Sequence, residues 1–253
     1  MLAIERKGKI LEQLSLEGKV VVSDLAKFFD VTEETIRRDL EKLDKEGLAR
    51  KTYGGAVKLE NVNIDLPFNV RKQANAQKKD AIAQLIAGNI NEGDCIAIDA
   101  SSTANLVIKK ILHLKKLTIL TNSIEILIDL CNKTDWNVIS TGGNLKHGGL
   151  SLLGPKAIST VQNFNSDIAI CSCKGLDIHS GITDSNEADA EIKKAFYKSA
   201  KRKFLACDST KFGISAFVKV CNIFDIDAIF TDVNPGVEWL SKAESNNIDI
   251  IYQ

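Results

Sequence analysis

The 253-residue sequence has no excess charge of either sign: 33 Lys and Arg balance 33 Asp and Glu. A basic surplus is the usual electrostatic footprint of a nucleic-acid binder, so bulk charge lends that class no support. The balance holds locally too, because residues 1–60 contain 12 basic and 12 acidic side chains. Any case for DNA binding must rest on arrangement. No apolar run is long enough to span a bilayer. Met1 to Lys9 is mixed and charged, with no apolar signal core after it, so a cytoplasmic location is expected. The cysteines (Cys95, Cys131, Cys171, Cys173, Cys207, Cys221) include no C-x-x-C pair and no His-rich complement. Cys171 and Cys173 form only a lone C-x-C, a weak metal signal. All six read as small buried hydrophobes, with no metal site or disulfide framework expected. His113, His147 and His179 are scattered and make neither a triad nor a metal site. No cofactor, internal repeat or low-complexity segment is indicated.

What is present is ordinary globular composition, 44% hydrophobic and 26% charged, in a length that suits a small domain plus a medium one. Residues 1–58 read as three short helices and a hairpin. Ile10, Leu11 and Leu14 stripe the first helix, which Gly18 stops. After the β-branched Val20–Val22, Ser23 is expected to cap a second helix bearing Leu25, Ala26, Phe28 and Phe29. Thr32 is expected to cap a third, with Glu33 and Glu34 where the helix dipole favours negative charge.

In that third helix Ile36, Leu40 and Leu43 share one face, while Glu34, Arg38, Glu41 and Lys45 occupy the other, flanked by Thr35 and Lys42. Such a helix suits the major groove. Thr35, Arg38 and Lys42 can reach base edges or phosphates, and Arg37 is placed to meet phosphate. The run Leu48 to Lys58 has basic residues and no acid. Gly54-Gly55 can turn between two strands, giving a wing that presents Arg50, Lys51 and Tyr53. Taken alone, this geometry is equally compatible with a solvated three-helix bundle.

Residues 59–79, polar and containing Pro67, read as a linker. From residue 80 to 253, short β-rich runs alternate with helical segments. Strands are expected at Cys95–Asp99, Leu117–Thr121, Asn137–Thr141, Asp167–Cys171, Phe204–Asp208, Val218–Cys221, Asp227–Thr231 and Asp249–Tyr252. Helices are expected at Thr103–Leu112, Ile124–Asn132 and Glu187–Ala200. This alternation implies an α/β domain with a mostly parallel sheet. Ligands of such sheets bind beyond the carboxyl ends of the strands. The segments there are Asp99-Ala100-Ser101-Ser102-Thr103, Thr121-Asn122-Ser123, Gly142-Gly143, Cys173-Lys174-Gly175 and Asp208 to Gly213, including Lys211. Hydroxyls and helix N-terminal amides make a phosphate cup. Taken singly, each segment reads more readily as a helix cap or a turn; five of them at one end of one sheet point to a site.

The run Val31-Thr32-Glu33-Glu34-Thr35-Ile36-Arg37-Arg38-Asp39-Leu40, with Leu43, Gly47 and Arg50 to Ala56, resembles the signature of the DeoR family of bacterial regulators. The family's sensor pattern is similar to the Asp99–Thr103, Thr121-Asn122, Gly142-Gly143, Gly181-Ile182-Thr183 (a turn) and Asp208–Phe212 segments. The resemblance implies a multidomain chain: a winged helix-turn-helix module, then an α/β sensor similar in fold to ribose-5-phosphate isomerase. It further implies a repressor of a carbohydrate operon, released from double-stranded operator DNA by a phosphorylated sugar. A homo-oligomer, dimer or tetramer, is expected. The resemblance places the sugar phosphate against the first segment and Lys211, and Arg71 and Lys79 at basic positions of the domain junction. Asp99 is expected to hold sugar hydroxyls. Ser101 stands where the family usually has Gly, and a positive φ there would strain it. The alternative is a sugar-phosphate isomerase-like enzyme fused to a DNA-binding module. Asp177, Asp184 and Glu187 supply carboxylates near Lys174, but their spacing singles out no catalytic pair.

Overall fold

The computed structural model describes residues 2–59, 65–146 and 149–253. The chain divides into two compact units, Met1–Asn75 and Ala76–Gln253. Residues 60–64 of the expected linker, and His147, lie outside the described residues.

In the first unit, α1 (Ala3–Glu17) ends at Gly18, whose φ of 75° lets its N–H reach the Leu14 carbonyl. Strand β1 (Lys19–Val21) then leads directly into α2 (Val22–Phe29). The expected Ser23 cap does not form. Val21 occupies the cap, and the Val22 N–H donates to the Gly54 carbonyl at 2.9 Å, so the wing satisfies the first amide of the helix. Helix α3 (Glu33–Lys45) does start as expected, with Thr32 Oγ1 accepting from the Thr35 N–H at 3.3 Å. Strands β2 (Arg50–Thr52) and β3 (Gly55–Val57) complete a three-stranded antiparallel sheet in the order β1-β3-β2. Ile10, Leu14, Leu25, Ile36, Leu40 and Leu43 are each at most 2% exposed. Burial of such side chains stabilises this small unit by roughly 1.5–3 kcal/mol each.

The wing's glycines differ from expectation. Thr52 pairs with Gly55, so the turn residues are Tyr53 and Gly54. Gly55 is needed for close approach, because a Cβ there would lie 1.9 Å from the Val20 carbonyl oxygen. The stretch 65–79 is not extended chain either. Pro67 precedes α4 (Phe68–Gln73), and its Val70, 1% exposed, sits in the first unit's core. Helix α5 (Ala76–Ala87) opens the second unit.

The second unit continues through β4 (Cys95–Ile98), α6 (Ser102–Ile111), β5 (Thr118–Thr121), α7 (Ile124–Leu130), β6 (Asn137–Ser140), β7 (Asn144–Leu145), β8 (Leu152–Leu153) and α8 (Pro155–Gln162). It then passes through β9 (Ser166–Ser172), β10 (Gly175–Asp177), β11 (Gly181–Asp184), α9 (Glu187–Lys198), β12 (Ala200–Ala206), β13 (Val218–Cys221), β14 (Ala228–Phe230), α10 (Val237–Glu244) and β15 (Asp249–Ile251). Seven strands form one sheet in the order β15-β14-β12-β9-β4-β5-β6, and every pairing is parallel. Alternate side chains enter two separate cores. Ile96, Ile98, Ile168, Ile170 and Phe204 face one, while Ala97, Ala169, Cys171, Leu205 and Cys207 face the other. Burial on both faces is the condition under which parallel strands persist.

Two expectations fail here. Val218–Cys221 forms a strand but leaves the main sheet, joining β10 and β11 in a small antiparallel sheet. Only Val220 of β13 is buried, which suits a strand covered on one face. Gly181-Ile182-Thr183 is no turn: it lies in β11, with Ile182 and Thr183 fully interior.

Candidate DNA-reading head and effector rim

Helix α3 turns its apolar face inward and leaves Arg37, Arg38 and Lys42 exposed, with Thr35 half-buried. Its acids are paired along the helix. Arg37 meets Glu33 at 2.6 Å, Arg38 meets Glu34 at 3.3 Å and Lys45 meets Glu41 at 2.9 Å. These i,i+4 pairs offset three of the helix's acids with three of its bases. Thr32 Oγ1 and Thr35 Oγ1 lie 2.9 Å apart at the helix start. Half-buried Ser23 directs its Oγ to Asp24 at 3.3 Å. On the wing Arg50 and Lys51 are exposed, and the Lys51 N–H donates to Asp44 Oδ1 at 2.9 Å. Tyr53 is fully exposed at the tip, beside Gly54 and Gly55.

One contact in the head was not legible in the sequence. Asp39, on the inward side of α3, accepts from Arg6 Nε at 2.5 Å, and both side chains are under 10% exposed. This buried pair ties the third helix to the first. A charge inside an otherwise apolar stripe was the available signal.

In the second unit, three neighbouring strands bring the rim together. Asp99, at the end of β4 and 1% exposed, accepts from the Ser101 N–H and the Ser172 N–H, each at 3.0 Å. Ser172, at the end of β9, donates its hydroxyl to the Ala206 carbonyl and accepts from Lys211 Nζ at 2.9 Å. Lys211 in turn lies 3.8 Å from Asp208, beyond β12. Asp208 also accepts from the Thr210 N–H and hydroxyl. Asp99, Ser172, Lys211 and Asp208 thus form a contiguous polar line across the sheet's carboxyl end.

Ser101 carries no backbone strain. Its φ is −79°, and its Oγ caps α6 by accepting from the Ala104 N–H at 3.1 Å. Ser102 and Thr103 are buried in the first turn that follows, where helix amides lack intrahelical acceptors. Ser123 caps α7. Asn122 is buried beside it, donating Nδ2 to the Leu152 carbonyl at 3.2 Å while its Oδ1 has no partner among the described residues. Gly142 and Gly143 follow the edge strand β6 with φ of 62° and 106°, and a Cβ on Gly143 would lie 2.5 Å from the Leu153 carbonyl. Lys174 is half-buried, its N–H bonded to the Thr183 carbonyl. Gly175 starts β10, where a Cβ would come within 2.3 Å of the Ile214 carbonyl. At these glycines the missing Cβ serves turn geometry and close packing. Arg71 belongs to the first unit, with its Nε on the Leu66 carbonyl; Lys79 is buried in the second.

Lys193 was also missed. It projects from the middle of α9 to Asp184 at 2.5 Å and Asp99 at 3.5 Å. Burial alone would lower its pKa, but the two carboxylates more than reverse this and hold it well above the ordinary lysine value. Asp184 is likewise pushed up by burial yet held below the usual carboxylate range by Lys193. Lys211 is raised against its burial by Asp208, and Asp208 is lowered against its own burial by Lys211, Thr210 and Lys79. The rim thus stands on a floor of fixed charges. Among the described residues no group of His, Cys, Asp and Glu is arranged to hold a metal ion, and no helix is long and apolar enough to cross a membrane.

Three helices closed by a three-stranded wing, ahead of an open parallel sheet with a polar rim, define a winged helix-turn-helix DNA-binding regulator with an α/β sensor. Residues 6–62 match the DeoR-like helix-turn-helix domain and residues 74–233 match the DeoR C terminal sensor domain. The chain belongs to the DeoR family of transcriptional regulators. It is 40% identical to the uncharacterized HTH-type transcriptional regulator YulB of Bacillus subtilis (strain 168), over 92% of this chain and 90% of the relative. It is 28% identical to the glycerol-3-phosphate regulon repressor of Escherichia coli (strain K12), over 97% of each. Among solved structures, ribose 5-phosphate isomerase A from Methanocaldococcus jannaschii matches with a TM-score of 0.41 and 14% identity over 55% of each chain.

Proposed function

We propose that this regulator represses a carbohydrate-utilisation operon and leaves its operator when a phosphorylated sugar occupies the rim of the second unit. The observation that carries the reading is the contact line Lys211–Ser172–Asp99–Ser101, which links a half-buried ammonium through two residues to the residue that caps α6. A lysine and a helix N-terminus together are the chemistry a phosphate requires. In this reading Ser101, Ser102, Thr103 and Lys211 take the phosphate, and Lys174 and Asp208 border it. Asn122 Oδ1, buried and without a partner among the described residues, accepts a sugar hydroxyl. Asp99 keeps the rim in shape, since its oxygens already serve Ser101, Ser172 and Lys193. Gly142, Gly143 and Gly175 shape the adjacent loops.

On DNA, Thr35, Arg38 and Lys42 address the major groove while Arg37, Arg50 and Lys51 meet phosphates. Ser23, Thr32 and the Tyr53-Gly54-Gly55 tip complete the footprint. The Arg37 and Arg38 pairs are surface pairs worth about 0–1 kcal/mol, so phosphate can replace glutamate at small cost. A homo-oligomer sets two such helices on repeated half-sites. The effector then favours a conformation in which their spacing is wrong, to the extent that it binds that conformation better.

Sensing is favoured over turnover by the state of the carboxylates. An isomerase base needs a pKa near neutrality. Asp177 is held below the usual range by the Ser180 and His179 N–H groups, and Asp184 by Lys193. The test is a sugar-phosphate panel scored by thermal shift and then by product formation. Stabilisation without product supports the sensor; turnover at enzymatic rates sinks it.

A further inference from the structure

Cys173 and Cys207 each lie one residue past the end of neighbouring strands, β9 and β12, whose register pairs Ser172 with Ala206. Both side chains enter the same core, and their sulfurs are 3.8 Å apart. Adjacent strands run about 4.8 Å apart, within the span a disulfide bridges, about 4.4–6.8 Å between Cα atoms. The two thiols are unequal. Cys207 is fully buried, and burial followed by its neighbour Cys173 pushes its thiol up. Cys173 is 6% exposed at the rim, and its thiol is lowered by the Cys207 S–H and, against burial, by the Lys211 ammonium. A thiolate-prone cysteine backed by a second thiol is the arrangement of a peroxide-sensitive pair.

We propose that Cys173 and Cys207 are a paired oxidation site, closing to an intrachain disulfide when the protein meets a hydroperoxide. The Cys173 thiolate attacks one peroxide oxygen, the O–O bond breaks, and hydroxide leaves to take up the proton Cys173 released. The resulting Cys173 sulfenic acid is attacked by the Cys207 sulfur. The S–S bond forms, the S–O bond breaks, and the departing oxygen leaves as water with the Cys207 proton. Two thiols lose two electrons in all, and one hydrogen peroxide becomes two waters. Closure draws together the strand ends that carry Ser172 and Asp208, so the Lys211 contact shifts with it. Elsewhere Cys131 is exposed, and Cys171 is fully buried with its thiol pushed up by burial.

The experiment treats the folded full-length chain, in a Cys131→Ser background, with hydrogen peroxide, then alkylates the remaining thiols after denaturation. The expected result is loss of two alkylatable thiols per chain, a peptide linked through Cys173 and Cys207, and full recovery with dithiothreitol. In Cys207→Ser the reaction should stop at a Cys173 sulfenic acid trapped by dimedone. Should that variant not fold, mapping the link in the parent chain decides the matter alone. Both thiols remaining alkylatable at peroxide doses that consume Cys131 in the natural chain would overturn the proposal. So would a linkage between other cysteines, or conversion of Cys173 to sulfinic acid without a link.

Discussion

The two units use charge in opposite ways. On the face of α3 that turns outward, ions pair with neighbours one helical turn away and stay in water, as with Arg37–Glu33 and Arg38–Glu34. Beneath the rim of the second unit they pair across elements and out of water, as with Lys193 between Asp184 and Asp99. The first arrangement costs little to break, so a polyanion can replace the internal partner. The second is costly to break, so it fixes geometry. A regulator needs both: exchangeable charge where it meets DNA, and fixed charge where it reads a small ligand. The Arg6–Asp39 pair is the head's instance of the fixed kind, holding α3 in place while its outer charges remain free to exchange.

The largest effect should come from leaving a buried carboxylate uncompensated. Lys193→Met is expected to destabilise the second unit by about 3–5 kcal/mol, read by urea unfolding. Adding Asp184→Asn should restore part of the loss. An unchanged midpoint for the single variant would erase the contrast between the units. Arg6→Met should act similarly, in the first unit's transition only.

The same cluster predicts a pH window. Asp184 titrates below its ordinary value of 3.8, so its contribution is complete above that value and fades as pH falls through the lowered pKa. Lys193 titrates above its ordinary value of 10.5, so its contribution is complete below that value and is lost as pH rises through the raised one. Sensor stability should therefore plateau between these limits. A loss centred near neutral pH would contradict the assignment.

Gly55→Val should cost about 1–3 kcal/mol through its clash with the Val20 carbonyl. Thermal melting should show the first unit's transition lowered and the second unit's unmoved. The smallest stability change belongs to Arg38→Ala, within about 0.5 kcal/mol. That variant should weaken operator binding and, if the residue meets phosphate, reduce the salt slope by about 1. Operator affinity unchanged by Arg38→Ala would remove its role.

Local features were legible from the sequence and long-range ones were not. The apolar stripe of α3 and its Thr32 cap depend on residues three or four apart. The eight expected strands are short β-rich runs, and all eight exist. Ser23 failed as a cap because α2 begins earlier, with Val21 at the cap and the Val22 N–H held by the Gly54 carbonyl of the wing, far along the chain. Val218–Cys221 was placed in the wrong sheet because a four-residue strand carries no record of its partners. Lys193 lies between Ile192 and Lys194 on an amphipathic helix, where it looks like surface charge. Only the fold brings Asp99 to it. The Asp99 loop was identified as part of the rim, yet its inward role depends on Ser172, which sits between two cysteines in an apolar run.

The most direct test of the account is a fluorescence-anisotropy titration of labelled operator DNA with increasing sugar phosphate, run on the natural chain and on Lys211→Ala. The account predicts that one phosphorylated sugar releases the natural chain, while Lys211→Ala binds operator equally well and is not released. Release of both proteins at the same concentration, or loss of operator binding by Lys211→Ala alone, would contradict it.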